Sequence, residues 1–147
     1  MLIQQMSLEH YEPLVTLWKG FPGNTLTGAD SIEGFKQFLD RNKAFCFTAL
    51  ENENVIGSVM AGEDSRRGYI YHLAVAKSMH HQGVGIKLMG RAEKALLEAG
   101  IEKVHLMIFS DNPAIEFYKK AGWHLRPDIE VMSKVLCGDK YMGSKLT

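Results

Sequence analysis

The segment from residue 69 to residue 109 constrains the fold most strongly, because its pattern predicts a strand, a helix and a second strand in succession. An apolar run rich in aromatic and β-branched residues, YIYHLAVA (69–76), predicts a buried strand, and KVHLMIF (103–109) predicts another. Between them, apolar side chains recur at the helical spacing of three and four, at Ile86, Met89, Ala92, Leu96 and Ala99. Two strands joined by such a crossover are parallel, and the crossover is nearly always right-handed.

The rest of the chain predicts hairpins and short helices around this unit. Strands are expected over 1–6, within 43–64 as a hairpin turning at Glu51–Asn54, and within 124–136 as a final hairpin with Pro127 and Asp128 in its turn. Helices are expected after Ser7, after Asp30 or Ser31, and after Asn112, with Gly100 and Gly122 ending the last two helices of the chain. The predicted order is β-α-α-β-β-β-α-β-α-β-β. This is a mixed α/β (α+β) class with a mostly antiparallel sheet and one parallel pair.

Composition and charge narrow the class of protein. A length of 147 residues predicts a single domain over 1–147. Lys and Arg together number 17, as do Asp and Glu, and this zero net charge argues against a protein built for nucleic acid. The chain shows no leader and no apolar run of membrane-spanning length, which predicts a cytoplasmic protein and no membrane partner. Cys46 and Cys137 are expected to be buried thiols rather than a disulfide.

Two glycines, Gly83 and Gly85, stand between the first strand of the crossover and its helix. Without side chains there, an anion such as a phosphate approaches the free N–H groups and the positive dipole end of the helix. From the glycine pair alone, a tight strand-to-helix turn is the favoured interpretation. No Walker loop is present, and Leu88 stands where a dinucleotide-binding loop has its third glycine.

Two motifs resemble the GNAT family of acetyl-CoA-dependent N-acetyltransferases. HHQGVG (80–85) is similar to the family's Arg/Gln-x-x-Gly-x-Gly/Ala loop, and SDNPAIEFYKKAGW (110–123) is similar to its later helix with Asn, Phe-Tyr and a closing glycine. The strand pair before the loop also resembles the bacterial YpeA-like subgroup. His80 departs from the pattern, because the family has Arg or Gln there.

The resemblance implies that acetyl-CoA is the cosubstrate, that no metal takes part, and that the two parallel strands splay to admit the pantetheine arm. The residues that would bind acetyl-CoA are Leu73, Ala74, Val75, His80, His81, Gln82, Gly83, Val84, Gly85, Ile86, Asn112, Ala114, Phe117 and Tyr118. Tyr118 would be the general acid that protonates the departing thiolate, although the alternative for it is a packed aromatic side chain. The backbone N–H of Leu73 or Ala74 would stabilise the oxyanion.

The general base does not transfer from the family. Tyr69 and Leu106 occupy positions where family members carry a glutamate. His72 is the candidate base that we retain, although a strand histidine is more often structural. The others are Tyr71, His105, Glu63 and Asp64.

The resemblance implies a small-molecule or peptide amine as acceptor, but the sequence does not identify it. The acceptor site should depend on the loop 20–28, the second helix and the last hairpin, with Trp18, Phe21, Phe35 and Phe38 either lining it or lying in the core. A non-catalytic acetyl-CoA-binding sensor is the alternative function. A metal site formed by the histidines at 72, 80, 81 and 105 lacks ligand spacing. The last hairpin leaves an edge strand, which allows a homodimer.

Overall fold

One mixed sheet of five strands organises the chain, in the order β1-β2-β3-β4-β5. The computed structural model describes residues 1–21 and 25–143. Its strands are β1 (Leu2–Gln5), β2 (Phe47–Glu51), β3 (Asn54–Glu63), β4 (Gly68–Val75) and β5 (Val104–Leu106). Its helices are α1 (Tyr11–Lys19), α2 (Ile32–Asn42), α3 (Val84–Glu98) and α4 (Ile115–Lys120). Strands β1 to β4 are antiparallel, and β5 joins β4 in parallel, which confirms the predicted class and crossover.

Helices cover both faces of the sheet. Along β3, Val59 and Ala61 belong to the core cluster that contains Leu88 and Met89 of α3. Met60, which lies between them, belongs to a second cluster that contains Trp18 of α1 and Phe35 and Leu39 of α2. Because successive strand residues point to opposite faces, α3 lies on one side of the sheet and α1 and α2 lie on the other.

Several predicted turn and capping residues are found where the sequence places them, but Ser7 precedes a 3-10 turn before α1, and α4 begins at Ile115 rather than directly after Asn112. The Ser31 hydroxyl accepts a hydrogen bond from the Gly34 N–H at 3.1 Å and caps α2. Gly100 and Gly122 follow α3 and α4 with φ of +89° and +95°, the left-handed geometry that glycine tolerates best. Asn52 and Glu53 form the tip of the β2–β3 hairpin, both with positive φ.

The final hairpin predicted over 124–136 is wrong, because no residue of that segment forms a strand. Three physical reasons are visible. Apolar residues do not alternate cleanly there, since Val131 and Met132 are adjacent, and the neighbouring β5 extends only from Val104 to Leu106 rather than over 103–109. Near the start of the segment, the chain bends where the Arg126 guanidinium donates two hydrogen bonds of 2.8 Å to the Asp128 carboxylate. The described order therefore ends with α4.

The two cysteines differ from each other. Both thiols are free, but only Cys46 is buried, and Cys137 is exposed, contrary to expectation. Burial raises the pKa of the Cys46 thiol to about 12, so it remains protonated at neutral pH.

Candidate active site

An open backbone edge runs along the second half of β4. Parallel pairing between β4 and β5 covers Gly68 to Ile70 and stops there. On the other side, the register of β4 against β3 shifts between Ser58 and Met60, and His72 at this bulge has a φ of +45°. The described strands therefore leave the β5-facing edge of residues 71–75 unpaired. This is the splay expected of the parallel pair.

The loop after β4 presents a row of free backbone donors. Within the part of the chain that the structure describes, the N–H groups of residues 81–86 donate no hydrogen bond, and the first helical bond of α3 runs from the Lys87 N–H to the Gly83 carbonyl at 3.1 Å. Gly83 is the N-cap residue of α3. Free N–H groups at a helix N-terminus favour an anion.

The two glycines of the loop have different physical reasons. Gly83 has a φ of +79° and open space where a side chain would stand. Gly85 instead allows a close contact, because a Cβ there would lie 3.2 Å from the Phe117 ring and 3.7 Å from Val75. The absence of a side chain at Gly85 thus lets α3 approach both β4 and α4. Val75, Gly85 and Phe117, which come from these three segments, are all predicted site residues.

A matched pair of substitutions separates backbone strain from helix propensity in this region. Gly83→Ala is expected to lower the free energy of unfolding by roughly 1–2 kcal/mol, because alanine is disfavoured in left-handed geometry. Gly90→Ala, at an exposed position of α3 with open space around it, is expected to raise that free energy by roughly 0.5–1 kcal/mol. Urea unfolding of both variants measures the difference, and equal effects would contradict this account of Gly83.

His80 makes a contact that the sequence does not reveal. Its ring Nε2 lies 2.8 Å from the Val75 carbonyl oxygen, to which it donates, and the ring stacks on Phe21 with centroids 6.2 Å apart. The Val75 carbonyl, expected to face a pantetheine arm, is therefore bonded within the protein. His80 closes the loop onto the end of β4.

Tyr118 lies on α4 and packs against the core cluster that contains Leu88 and Met89 of α3. The ring contacts Phe117 and Trp123 edge-on, with centroids 5.3 and 5.9 Å apart. Burial raises the pKa of Tyr118 to about 12, and its hydroxyl makes no hydrogen bond to any described residue. A protonated phenol with a free hydroxyl is a proton donor, as a general acid must be.

The turn before α4 is held by Asn112. Its side-chain oxygen accepts a hydrogen bond from the Ala114 N–H at 2.9 Å, and the Ile115 N–H donates to the Asn112 carbonyl at 3.2 Å. Asn112 thus shapes the entry into α4 three residues before the helix begins. Its contact with a ligand stays a prediction.

His72 is paired with a carboxylate that the sequence analysis placed only as a helix cap. The His72 Nε2 lies 2.8 Å from Asp30 Oδ1, and both side chains are largely buried, with 12% and 14% exposed. Burial alone would raise the pKa of Asp30, but hydrogen bonds from His72 and from the Thr27 N–H outweigh it and lower that pKa. The two residues are 42 positions apart, and no spacing rule connects them.

The other candidate bases lie away from the open edge. Glu63 and Asp64 lie at the turn between β3 and β4, where Asp64 accepts hydrogen bonds from the N–H groups of Arg66 and Arg67. His105 pairs with Tyr69 in the closed part of the β4–β5 ladder. Tyr71 is exposed and packs its ring edge-on against Phe38. Of these residues and His72, only His72 and Tyr71 lie on the unpaired half of β4.

The aromatic residues considered for an acceptor pocket divide into two groups. Trp18 and Phe35 are fully buried in the core cluster of α1 and α2. Phe21 and Phe38 are partly exposed, and Phe21 stands next to residues 22–24, which lie outside the described residues together with that part of the predicted 20–28 loop. Of the two predicted alternatives, a place in the core is therefore confirmed for Trp18 and Phe35.

No group of three or more His, Cys, Asp or Glu side chains in residues 1–21 and 25–143 is arranged to hold a metal ion. None of the helices in these ranges is both long enough and apolar enough to cross a bilayer.

Comparison with known proteins identifies the family. The model of the acetyltransferase (GNAT) family matches residues 11–123. The chain belongs to the GNAT acetyltransferase family. It is 32% identical over 111 residues to an acetyltransferase of Pectobacterium atrosepticum, an alignment that covers 73% of this chain and 75% of the relative.

Solved GNAT-like structures share the fold. An aminoglycoside acetyltransferase from an uncultured soil metagenomic sample, in complex with trehalose, superposes with a TM-score of 0.72 at 21% identity and covers 92% of this chain and 95% of its own. A Mycobacterium tuberculosis protein in complex with CoA gives a TM-score of 0.67 at 16% identity, covering 83% of this chain and 70% of its own. The family match includes every predicted site residue from His72 to Tyr118.

Proposed function

We propose that this GNAT protein transfers an acetyl group from acetyl-CoA to a primary amine by direct attack in a ternary complex. One juxtaposition carries the proposal: the unpaired edge of β4 over residues 71–75 leads into the row of free N–H groups at 81–86, with α4 and Tyr118 packed beside them. A pantetheine arm added as a strand to that edge would bring a pyrophosphate to those N–H groups.

The residues present fit this cosubstrate. Gly83 leaves open space at the start of α3, and the amide row supplies donors without requiring a side chain. The residues that would hold it are the predicted set: Leu73, Ala74, Val75, His80, His81, Gln82, Gly83, Val84, Gly85, Ile86, Asn112, Ala114, Phe117 and Tyr118. For Val75 the His80 ring must first release the carbonyl.

Acetyl transfer requires two proton movements that named groups supply. As the amine nitrogen bonds to the acetyl carbon and the carbon–sulfur bond breaks, His72 accepts the proton that the amine loses, and Tyr118 donates a proton to the leaving sulfur. The Leu73 or Ala74 N–H stabilises the negative charge that develops on the thioester oxygen. His72 and Tyr118 then return to their starting states by exchange with water.

The acceptor is proposed only by chemical class, as a small-molecule or peptide amine. Aminoglycosides, the substrates named for the metagenomic neighbour, are one set of amines to test. A single domain over 1–147, a cytoplasmic location, membership of the YpeA-like subgroup and a homodimer stay predictions, as does the absence of a nucleic-acid partner.

Calorimetric titration tests the cosubstrate site. Acetyl-CoA is expected to bind with a micromolar Kd, and S-acetylpantetheine, which lacks the pyrophosphate, is expected to bind about tenfold more weakly or worse, because it leaves the N–H row of residues 81–86 without its anion. Equal affinity for the two compounds would mean that the glycine loop is only a turn.

A screen of amines then tests catalysis. Release of free CoA that depends on an added amine supports the enzyme. Tight binding of acetyl-CoA with no turnover on any amine would instead favour the non-catalytic sensor.

A further inference from the structure

A series of buried contacts connects His72 of β4 to Ser58 of β3 and to Trp18 of α1. The Trp18 indole N–H donates to the Ser58 hydroxyl at 2.9 Å, and that hydroxyl donates to the His72 carbonyl at 2.7 Å. The Trp18 ring also stacks on the His72 ring, with centroids 4.2 Å apart and planes 16° from parallel. These contacts hold both the backbone and the ring of His72.

The Asp30 carboxylate is held just as firmly. Its Oδ2 accepts a hydrogen bond from the Thr27 N–H at 2.9 Å, and the Thr27 hydroxyl in turn accepts one from the Ala29 N–H at 3.2 Å. The Tyr11 hydroxyl donates to the Asp30 backbone carbonyl at 2.6 Å. Because its pKa is lowered, Asp30 is a carboxylate at neutral pH and only accepts hydrogen bonds.

This geometry determines which nitrogen of neutral His72 carries the proton. A carboxylate 2.8 Å from Nε2 requires the hydrogen on Nε2, so the lone pair lies on Nδ1. Nδ1 has no hydrogen-bond partner among the described residues, and it is not among the buried polar atoms that lack one, so it remains accessible to solvent. Nδ1 is the ring nitrogen nearer the backbone, and that backbone is the unpaired half of β4.

The backbone at the pair is also unusual. His72 adopts a φ of +45°, which is uncommon for a residue with a side chain and costs free energy. The bulge shifts the register there, so that the ring enters the layer between the sheet and α1.

We propose that Asp30 is a positioning residue for His72: it holds the imidazole in the Nε2–H form and leaves Nδ1 as the proton acceptor for the substrate amine. This role rests on the proposed function. The alternative is a purely structural role, in which the Asp30–His72 hydrogen bond only holds the loop 25–31 against β4. The titratable group of α1 next to the pair is Tyr11, whose hydroxyl donates to the Asp30 carbonyl, and it is unchanged by the substitution used below.

Asp30→Asn tests the role, because asparagine keeps an oxygen for the Thr27 N–H but loses the negative charge. We expect kcat/KM to fall by ~10² or more, as when an oriented histidine loses its carboxylate. Nitrogen-15 NMR of the imidazole should show the Nε2–H form in the unmutated protein and a changed form in the variant.

Two control variants separate positioning from structure. Thr27→Ala weakens the same turn but keeps the Asp30 carboxylate, so it should lower stability without changing the imidazole tautomer. Asp64→Asn removes an exposed carboxylate in the β3–β4 turn, and it should leave the NMR tautomer unchanged.

The outcomes separate the two proposals. An active protein whose kcat/KM and imidazole tautomer are the same in Asp30→Asn contradicts the role of Asp30 and leaves the proposed function standing. A Nδ1–H tautomer in the unmutated protein also contradicts that role. Absence of turnover in the unmutated protein contradicts the proposed function itself.

Discussion

Replacing Tyr118 with phenylalanine is expected to lower kcat by ~10²–10⁴-fold and to leave the protein folded. The loss follows from removing the phenol that protonates the leaving sulfur, while the ring keeps its edge contacts with Phe117 and Trp123. Since the Tyr118 hydroxyl has no hydrogen-bond partner among the described residues, its removal breaks no internal bond, and the free energy of unfolding should change by less than ~1 kcal/mol. Steady-state kinetics and urea unfolding measure the two effects.

Alkaline titration gives the same residue an independent test. Because burial raises the pKa of Tyr118 from 10.0 to about 12, the unfolded chain releases the phenolic proton first as the pH rises. The folded state is therefore stabilised below pH 10 and loses that stabilisation as the pH rises toward 12. The Tyr118→Phe variant should lose less stability over this window than the unmutated protein does.

Tyr69→Phe is the matched control for the kinetic effect. Tyr69 lies in the paired part of β4, opposite His105, and away from the open edge. A tyrosine there supplies no carboxylate base, and Tyr69 is not the proposed acid, so its substitution should change kcat by less than about twofold. Equal activity of Tyr118→Phe and Tyr69→Phe would contradict the assignment of Tyr118 as general acid.

The sequence predicts the local elements well because each has its own chemical signals. The crossover from β4 through α3 to β5 follows from the change from a β-branched run to a helical period, and the caps at Ser31, Gly100 and Gly122 are specified by one side chain or its absence. The final hairpin fails for a related reason. Over 124–136 the apolar residues lack strict alternation, and a strand also needs a partner edge, which the short β5 does not extend.

The candidate site also contains features that the local sequence specifies and features that only the tertiary structure creates. Glycine positions and the Asn112 turn are local, so motif resemblance locates the loop and α4. The Asp30–His72 pair and the His80–Val75 contact depend on side-chain placement in three dimensions. Asp30 carries an ordinary helix-start signal in the sequence, and only the bulge in β4 brings His72 to it. The two glycines of the loop also have different structural roles, since Gly83 adopts a positive φ and Gly85 leaves space for Phe117.

Trp18→Ala is expected to produce the largest loss of stability among single substitutions near the site, ~3–5 kcal/mol in the free energy of unfolding. Trp18 has 0% of its surface exposed, so alanine leaves a large cavity between the sheet and α1. The substitution also removes the donor to the Ser58 hydroxyl and the ring that stacks on His72. Since domains are stable by only about 5–15 kcal/mol, the variant should unfold at clearly lower urea concentration.

Leu97→Ala is the control for this loss. Leu97 is a large apolar residue of α3 with 69% of its surface exposed, so its truncation should change the free energy of unfolding by no more than ~0.5 kcal/mol. Trp18→Phe adds a finer comparison, because it keeps an aromatic ring against His72 and removes the indole donor. If the stacked ring supports His72, Trp18→Phe should retain more kcat/KM than Trp18→Ala at a temperature where both are folded. Equal urea midpoints for Trp18→Ala and Leu97→Ala would contradict the burial of the indole, and with it the support that the core provides to the Asp30–His72 pair.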